Sequence, residues 1–147
     1  MSPSFDLRRY QDPLTIQRVL LNAKTIAIVG LSNNPLRASY FVGYYLKRHG
    51  YRVIPVNPRE TEILGEKSFK TLGDVPDPVD IVNVFRAPDA VPGIAREAVA
   101  IAARCLWCQF TVISEEDPSG DDKYFGTLAN DTLTVQVGTT VWKYVER

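Results

Sequence analysis

The 147-residue sequence is poor in two of the side chains that carry much catalysis, with one histidine and two cysteines. The histidine, His49, precedes Gly50 at what reads as a helix end, where an imidazole interacts with the helix dipole. No acid–base pair and no nucleophile with a base can be named, so the chain reads as a binder without catalysis of its own. Net charge is lacking too, with 17 Lys plus Arg against 17 Asp plus Glu. Without a broad positive field, general nucleic-acid binding is excluded. Met1 to Tyr10 carries charges and no long apolar core, so it reads neither as a signal peptide nor as a membrane segment, and a cytoplasmic location without membrane contact is expected. Cys105 and Cys108 have the C-x-x-C spacing of redox and zinc sites. They fall within the apolar run Cys105-Leu106-Trp107-Cys108-Gln109-Phe110, which reads as a strand. Residues three apart in a strand face opposite ways, which argues for two buried thiols and no metal.

What is present is the balance of an ordinary globular domain, 45% hydrophobic and 23% charged, long enough to bury a core without disulfides. A helix is predicted over Pro13 to Ala23, with Asp12 as cap and Leu14, Val19, Leu20 and Leu21 as its apolar face. Strands follow at Ile26 to Val29, Tyr51 to Val56, Ile81 to Phe85 and Leu106 to Val112. Helices are predicted at Ser39 to His49, capped by Ser39 and stopped by Gly50, and at Pro88 to Ala103. The inner side of the latter is Val91, Ile94, Ala95, Ala98, Val99 and Ala102. Asn57 to Pro78 leaves room for a short helix or strand near Ile63 to Leu72. Ser114 to Asn130 reads as a poorly defined helix or loop before a last strand at Leu133 to Val137. This alternation predicts an α/β fold: one Rossmann-like, doubly wound domain spanning 1–147, a mostly parallel sheet flanked by helices, with 1–24 as a helical segment packed on it.

Ligands of such sheets sit outside the carboxyl ends of the strands, where the strand order reverses. The loops after Val29, Val56 and Phe85 should therefore converge. The first runs Val29-Gly30-Leu31-Ser32-Asn33-Asn34-Pro35-Leu36-Arg37-Ala38-Ser39, a strand entering a glycine turn ahead of a helix, which is the order of a phosphate cradle. It is not the dinucleotide fingerprint, because Ser32 and Pro35 stand where the second and third glycines belong. The second strand ends Val56-Asn57-Pro58-Arg59, with a cation where an NAD protein places its ribose-binding carboxylate. Arg59 suits a ribose phosphate, as in NADP or the 3′-phosphorylated ADP of coenzyme A, or is a solvated loop arginine. Arg37 can reach a diphosphate or is a surface charge. Ser32 can donate to a phosphate or fold the loop on itself. Phe85 and Arg86 put a ring and a cation on the same rim.

These residues resemble the small stand-alone coenzyme A-binding proteins related to the nucleotide domain of the succinyl-coenzyme A synthetase alpha subunit. The resemblance covers about Ile16 to Val112. It rests on Gly30-Leu31-Ser32 with Pro35, Arg37 and Ser39, on Tyr51 to Pro58, on Ile63-Leu64-Gly65, on Val79 to Arg86 and on Leu106-Trp107-Cys108-Gln109. It implies coenzyme A or an acyl-coenzyme A as ligand, its pyrophosphate on the Gly30, Leu31, Ser32 turn and its adenosine near Val56, Asn57, Pro58 and Arg59. Phe85, Arg86, Trp107 and Gln109 would line the groove. The family's Met-Asp-Arg-Cys-like stretch has no match at Val137-Gly138-Thr139-Thr140, and Asp117 to Asn130 is less helical than its counterpart. Two alternatives stand beside this expectation: an NADP-dependent oxidoreductase, and a partner-dependent subunit that presents coenzyme A within an acyl-coenzyme A ligase.

Overall fold

The protein is described by a computed structural model over residues 12–111, 123–129, 132–137 and 140–145, with side chains for 12–87 and 89–108. The readings made for Met1 to Tyr10 and for 112–122 lie outside these residues. Helix α1 (Pro13–Asn22) starts where Asp12 Oδ2 accepts from the Thr15 amide at 2.8 Å and the Thr15 hydroxyl at 2.7 Å. Its apolar face differs from the expected one. Val19 and, just beyond the helix, Ala23 pack on the sheet, whereas Leu14 and Leu21 are 68% and 78% exposed. At 3.6 residues per turn, Leu14 and Leu21, seven apart, share the side opposite Val19 and Ala23.

Strand β1 (Thr25–Val29) is followed by α2 (Ala38–Arg48) and β2 (Arg52–Val56). Ser39 does not cap α2; Arg37 holds the cap position without a side-chain bond, and Ser39 lies buried inside the first turn. Gly50 ends this segment at φ +89°, as expected of a left-handed stop. Pro55 sits within β2, which lies at the sheet edge. Its carbonyl accepts from the Phe69 amide outside the sheet, so its missing N–H also faces outward and breaks no ladder bond with β1. The segment after β2 contains both a hairpin, β3 (Glu62–Ile63) with β4 (Glu66–Lys67), and a one-turn 3-10 helix at Leu72–Asp74. Lys47 ties the hairpin to α2 by donating to the Leu64 carbonyl at 2.6 Å and pairing with Glu66 at 2.9 Å.

Strand β5 (Ile81–Val84) leads through a short 3-10 turn to α3 (Val91–Ala100), then β6 (Cys105–Thr111). Helix α3 is shorter than predicted and buries Val91, Ile94, Ala95 and Ala98. Ala102, placed inside by periodicity, is exposed in the left-handed region at φ 56°, and Val99 is half-buried. The Ala103 amide closes on the Ala98 carbonyl at 3.0 Å, a helix-ending loop that usually employs glycine.

The sheet order is β2-β1-β5-β6-β7-β8-β9, where β7 is Lys123–Ala129, β8 Thr132–Val137 and β9 Thr140–Val145. The first four strands are mutually parallel and form the Rossmann-like part; the last three continue antiparallel. The polar-looking stretch before Asn130 thus holds a strand in place of the expected helix or loop, and a further strand follows Val137. Lys123-Tyr124-Phe125-Gly126-Thr127-Leu128-Ala129 mixes aromatic and β-branched residues with polar ones, a pattern a solvated sheet face allows.

Register divides the parallel strands into two faces. Ala27, Val29, Ile54, Val56, Val82, Val84, Leu106 and Cys108 pack with α3, while Ile26, Ile28, Val53, Ile81 and Cys105 pack on the other side with Leu31 and α2's Leu46. Each fully buried aliphatic side chain contributes about 1.5–3 kcal/mol. Cys105 and Cys108 fall on opposite faces. Burial, and then the neighbouring Cys105, pushes the Cys108 thiol up to about 12.

Candidate functional site

The reversal of strand order falls between β1 and β5, and Gly30 stands directly above it. Its amide donates to the Val56 carbonyl at 2.9 Å, and the Phe85 amide donates to the Val29 carbonyl at 2.8 Å, so the turns after β1, β2 and β5 are laced together. At φ +86°, a Cβ on Gly30 would lie 2.4 Å from the Phe85 carbonyl oxygen and 3.1 Å from Arg86 Cδ. Only glycine fits this crossing.

The loop beyond Gly30 folds on itself first. The Ser32 amide donates to Ser39 Oγ at 3.0 Å, Ser32 Oγ accepts from the Asn34 amide at 3.0 Å, and Asn34 Oδ1 accepts from the Leu36 amide at 3.0 Å. Ser39 therefore pins the first turn of α2 to the glycine loop. With Gly30 and Ser32 already donating, the amides of Leu31 and Asn33 are those of the turn left without a protein acceptor among the described residues. The Leu31 side chain is buried in the core, so only its backbone belongs to the site. The Ser32 hydroxyl still has its proton to give.

Asn57 clasps the second turn to the first. Its Nδ2 donates to the Leu31 carbonyl at 2.9 Å, and its Oδ1 accepts from the Arg59 amide at 2.9 Å, shaping the turn that presents Arg59. Its own amide donates to Phe69 at 2.8 Å, which brings the chain at Lys70 and Thr71 alongside. Against these turns, on the α3 side of the sheet, opens a groove of about 210 Å³. Gly30, Val56, Asn57, Pro58 and Arg86 line it, as does Val29. Sequence reasoning missed Lys70, Thr71, Ile94 and Glu97, which together with Ala90 complete its wall. Ile94 and Glu97 are one helical turn apart on α3 and gave a findable signal; Lys70 and Thr71 are placed by the Phe69 bridge to β2 and gave none.

The other expected residues lie outside this groove. Arg37 and Arg59 are exposed near the loop, and Ser32 and Ser39 sit on the α2 side. Phe85 and Trp107, both half-buried, pack on the α2 face of the sheet. The side chain of Gln109 lies outside the described residues. The arrangement is a narrow apolar slot with cations Arg86 and Lys70 and one carboxylate, Glu97, beside a loop with two open amides. Such a site suits a flat ring joined to an anionic group. At the opposite end of the strands, Asp80 accepts from the amides of Lys24 at 2.7 Å and Thr25 at 3.1 Å, and these bonds hold its carboxyl below the ordinary aspartate value. Asp80 is thus a strut, remote from the three turns. No group of three or more potential metal ligands occurs among the described residues, and none of their helices is long and apolar enough to cross a membrane.

Several known proteins are similar to this chain. A family model described as CoA binding domain matches residues 24–118. The uncharacterized protein YneT of Bacillus subtilis is 42% identical over 101 residues, covering 69% of this chain and 75% of that protein. The alpha subunit of ADP-forming acetate–CoA ligase II from Pyrococcus furiosus is 41% identical over 64 residues, 43% of this chain but 14% of the subunit. Among solved structures, a hypothetical protein from Pyrococcus horikoshii is similar with a TM-score of 0.67 and 34% identity, over 75% of this chain and 77% of that one.

Proposed function

The chain belongs to the CoA binding domain family, and on that premise we propose that it binds coenzyme A or an acyl-coenzyme A across the Gly30 turn. The single observation carrying this reading is the convergence at Gly30: a crossing too tight for any side chain, two open amides beside it, and an apolar slot flanked by Arg86 and Lys70. The adenine ring enters the slot between Pro58 and Ile94. The diphosphate lies on the amides of Leu31 and Asn33, with the Ser32 hydroxyl as a further donor. Arg59 faces the 3′-phosphate, a group that a ribose-binding carboxylate would repel.

Among the described residues that line the slot, none forms a nucleophile–base pair, which favours binding over turnover. A thermal-shift screen with coenzyme A, NADP and NAD tests the reading: the melting temperature rises with coenzyme A. A rise with NADP alone overturns it in favour of an oxidoreductase. A second reading, presentation of coenzyme A to a separate protein, is favoured by the similarity of this chain to one part of a much longer ligase subunit. Co-purification of a partner from native lysate is its expected signature.

A further inference from the structure

Strand β5 reads Ile81-Val82-Asn83-Val84, and the asparagine is out of place in it. Asn83 is 5% exposed, and its Oδ1 has no hydrogen-bond partner among the described residues. An amide acceptor left so buried is destabilising, and a leucine, with the same branched skeleton, would remove the unpaired acceptor, so the fold alone gives no reason for it. Its place in the sheet does. Asn83 pairs in register with Ile28 on one side and Trp107 on the other, on the face away from α3. Two residues further on is Phe85, whose amide is bonded to Val29 at the rim beside Gly30, so Asn83 lies roughly 7 Å below that rim. Phe85 and Trp107 are half-buried on the same face.

The 210 Å³ groove spans the strand-order reversal on the α3 side, from the ends of β1 and β2 to Arg86 just past β5. Asn83 of β5, Phe85 just beyond it and Trp107 of β6 lie on the opposite face of the sheet. A ligand anchored by its phosphates at Gly30 with its ring in the groove has β5 and β6 within reach of the rest of its length, across the strand ends. In coenzyme A that remainder is the pantetheine arm, an aliphatic chain interrupted by two secondary amides, each with one N–H to donate. We propose that Asn83 Oδ1 is the acceptor for a pantetheine amide N–H, with Phe85 and Trp107 flanking the methylenes of the arm. This assignment rests on the coenzyme A reading above and adds to it a residue that selects for the arm and ignores the nucleotide.

The test is a calorimetric titration of wild type and Asn83→Leu with coenzyme A and with adenosine 3′,5′-bisphosphate, which lacks the arm. The Leu variant is expected to bind coenzyme A roughly five- to ten-fold more weakly, the worth of one hydrogen bond, and the bisphosphate unchanged. Its unliganded melting temperature is expected to equal or exceed that of wild type. Unchanged coenzyme A affinity in the folded variant, or equal weakening of both ligands, overturns the proposal. Should the variant not fold, wild type titrated with a coenzyme A analogue methylated on both amide nitrogens replaces it. A similar loss supports Asn83 as acceptor, and equal affinity overturns it. Wild type that binds neither coenzyme A nor the bisphosphate overturns the coenzyme A reading itself, whereas binding of both by wild type and Leu variant alike removes only the role of Asn83.

Discussion

Gly30→Ala separates two effects of one methyl group, and Gly50→Ala is its built-in control. The two glycines have nearly the same backbone, φ +86° and φ +89°, so an alanine at either site bears the same left-handed cost of about 1–2 kcal/mol. They differ in surroundings. A Cβ at Gly50 meets nothing within 4 Å, whereas at Gly30 it meets the Phe85 carbonyl oxygen at 2.4 Å. That oxygen belongs to a backbone held by the Phe85–Val29 bond, so it cannot swing away as a side chain would; overpacking of this kind costs about 1–3 kcal/mol more. Gly50→Ala should therefore lose about 1–2 kcal/mol and Gly30→Ala about 2–5 kcal/mol, a large share of the ~5–15 kcal/mol that stabilises a typical domain. In scanning calorimetry the two variants should melt roughly 3–8 °C and 6–18 °C below wild type respectively, with the same ranking in urea. Equal losses for the two variants would refute the claim that the β5 turn crosses Gly30 in contact.

Arg59→Ala should weaken coenzyme A by roughly ten-fold at low salt while leaving dephospho-coenzyme A nearly unchanged, because only the former carries the 3′-phosphate; titration of both ligands checks it. Asp80→Ala should lower unfolding free energy by about 1–3 kcal/mol in urea, since two backbone amides lose their acceptor. Because the folded-state pKa of Asp80 is depressed, its contribution is present above the unfolded value near 3.8 and is lost as pH falls through the lower folded value, so the stability gap between wild type and Asp80→Ala should be full near neutral pH and narrow as the pH drops below about 3.8. Cys108, raised to about 12, should resist iodoacetamide at pH 8 in the native protein and react readily in denaturant, as followed by mass spectrometry. Its stabilising preference for the neutral thiol holds below the unfolded value near 9 and fades as pH climbs toward 12.

The parallel half of the sheet was legible because its strands are short apolar runs stopped by Gly, Pro and Asn, and because Gly50 and Asp12 punctuate the helices as local chemistry requires. The glycine turn was legible for the same reason. What escaped the sequence depends on contacts between distant residues. Asn57 reaches back 26 residues to hold Leu31, and Lys70 enters the groove because Phe69 bridges to Val56. Ser39 looked like a helix cap, yet its hydroxyl serves the Ser32 amide, since Arg37 already occupies the cap position. Leu14 and Leu21 looked inward because apolar residues are assigned to the core by default, although the angular spacing of α1 sets them opposite Val19. Asn83 passed unremarked in an apolar strand, and only its burial without a partner among the described residues distinguishes it.

The central claim, that the Gly30 turn holds coenzyme A, is tested most directly by calorimetric titration of the purified chain with coenzyme A. The account predicts saturable binding at one site per chain, weakened by Arg59→Ala and lost or greatly reduced in Gly30→Ala that remains folded. No binding heat and no displacement of a fluorescent coenzyme A analogue at millimolar ligand would contradict it.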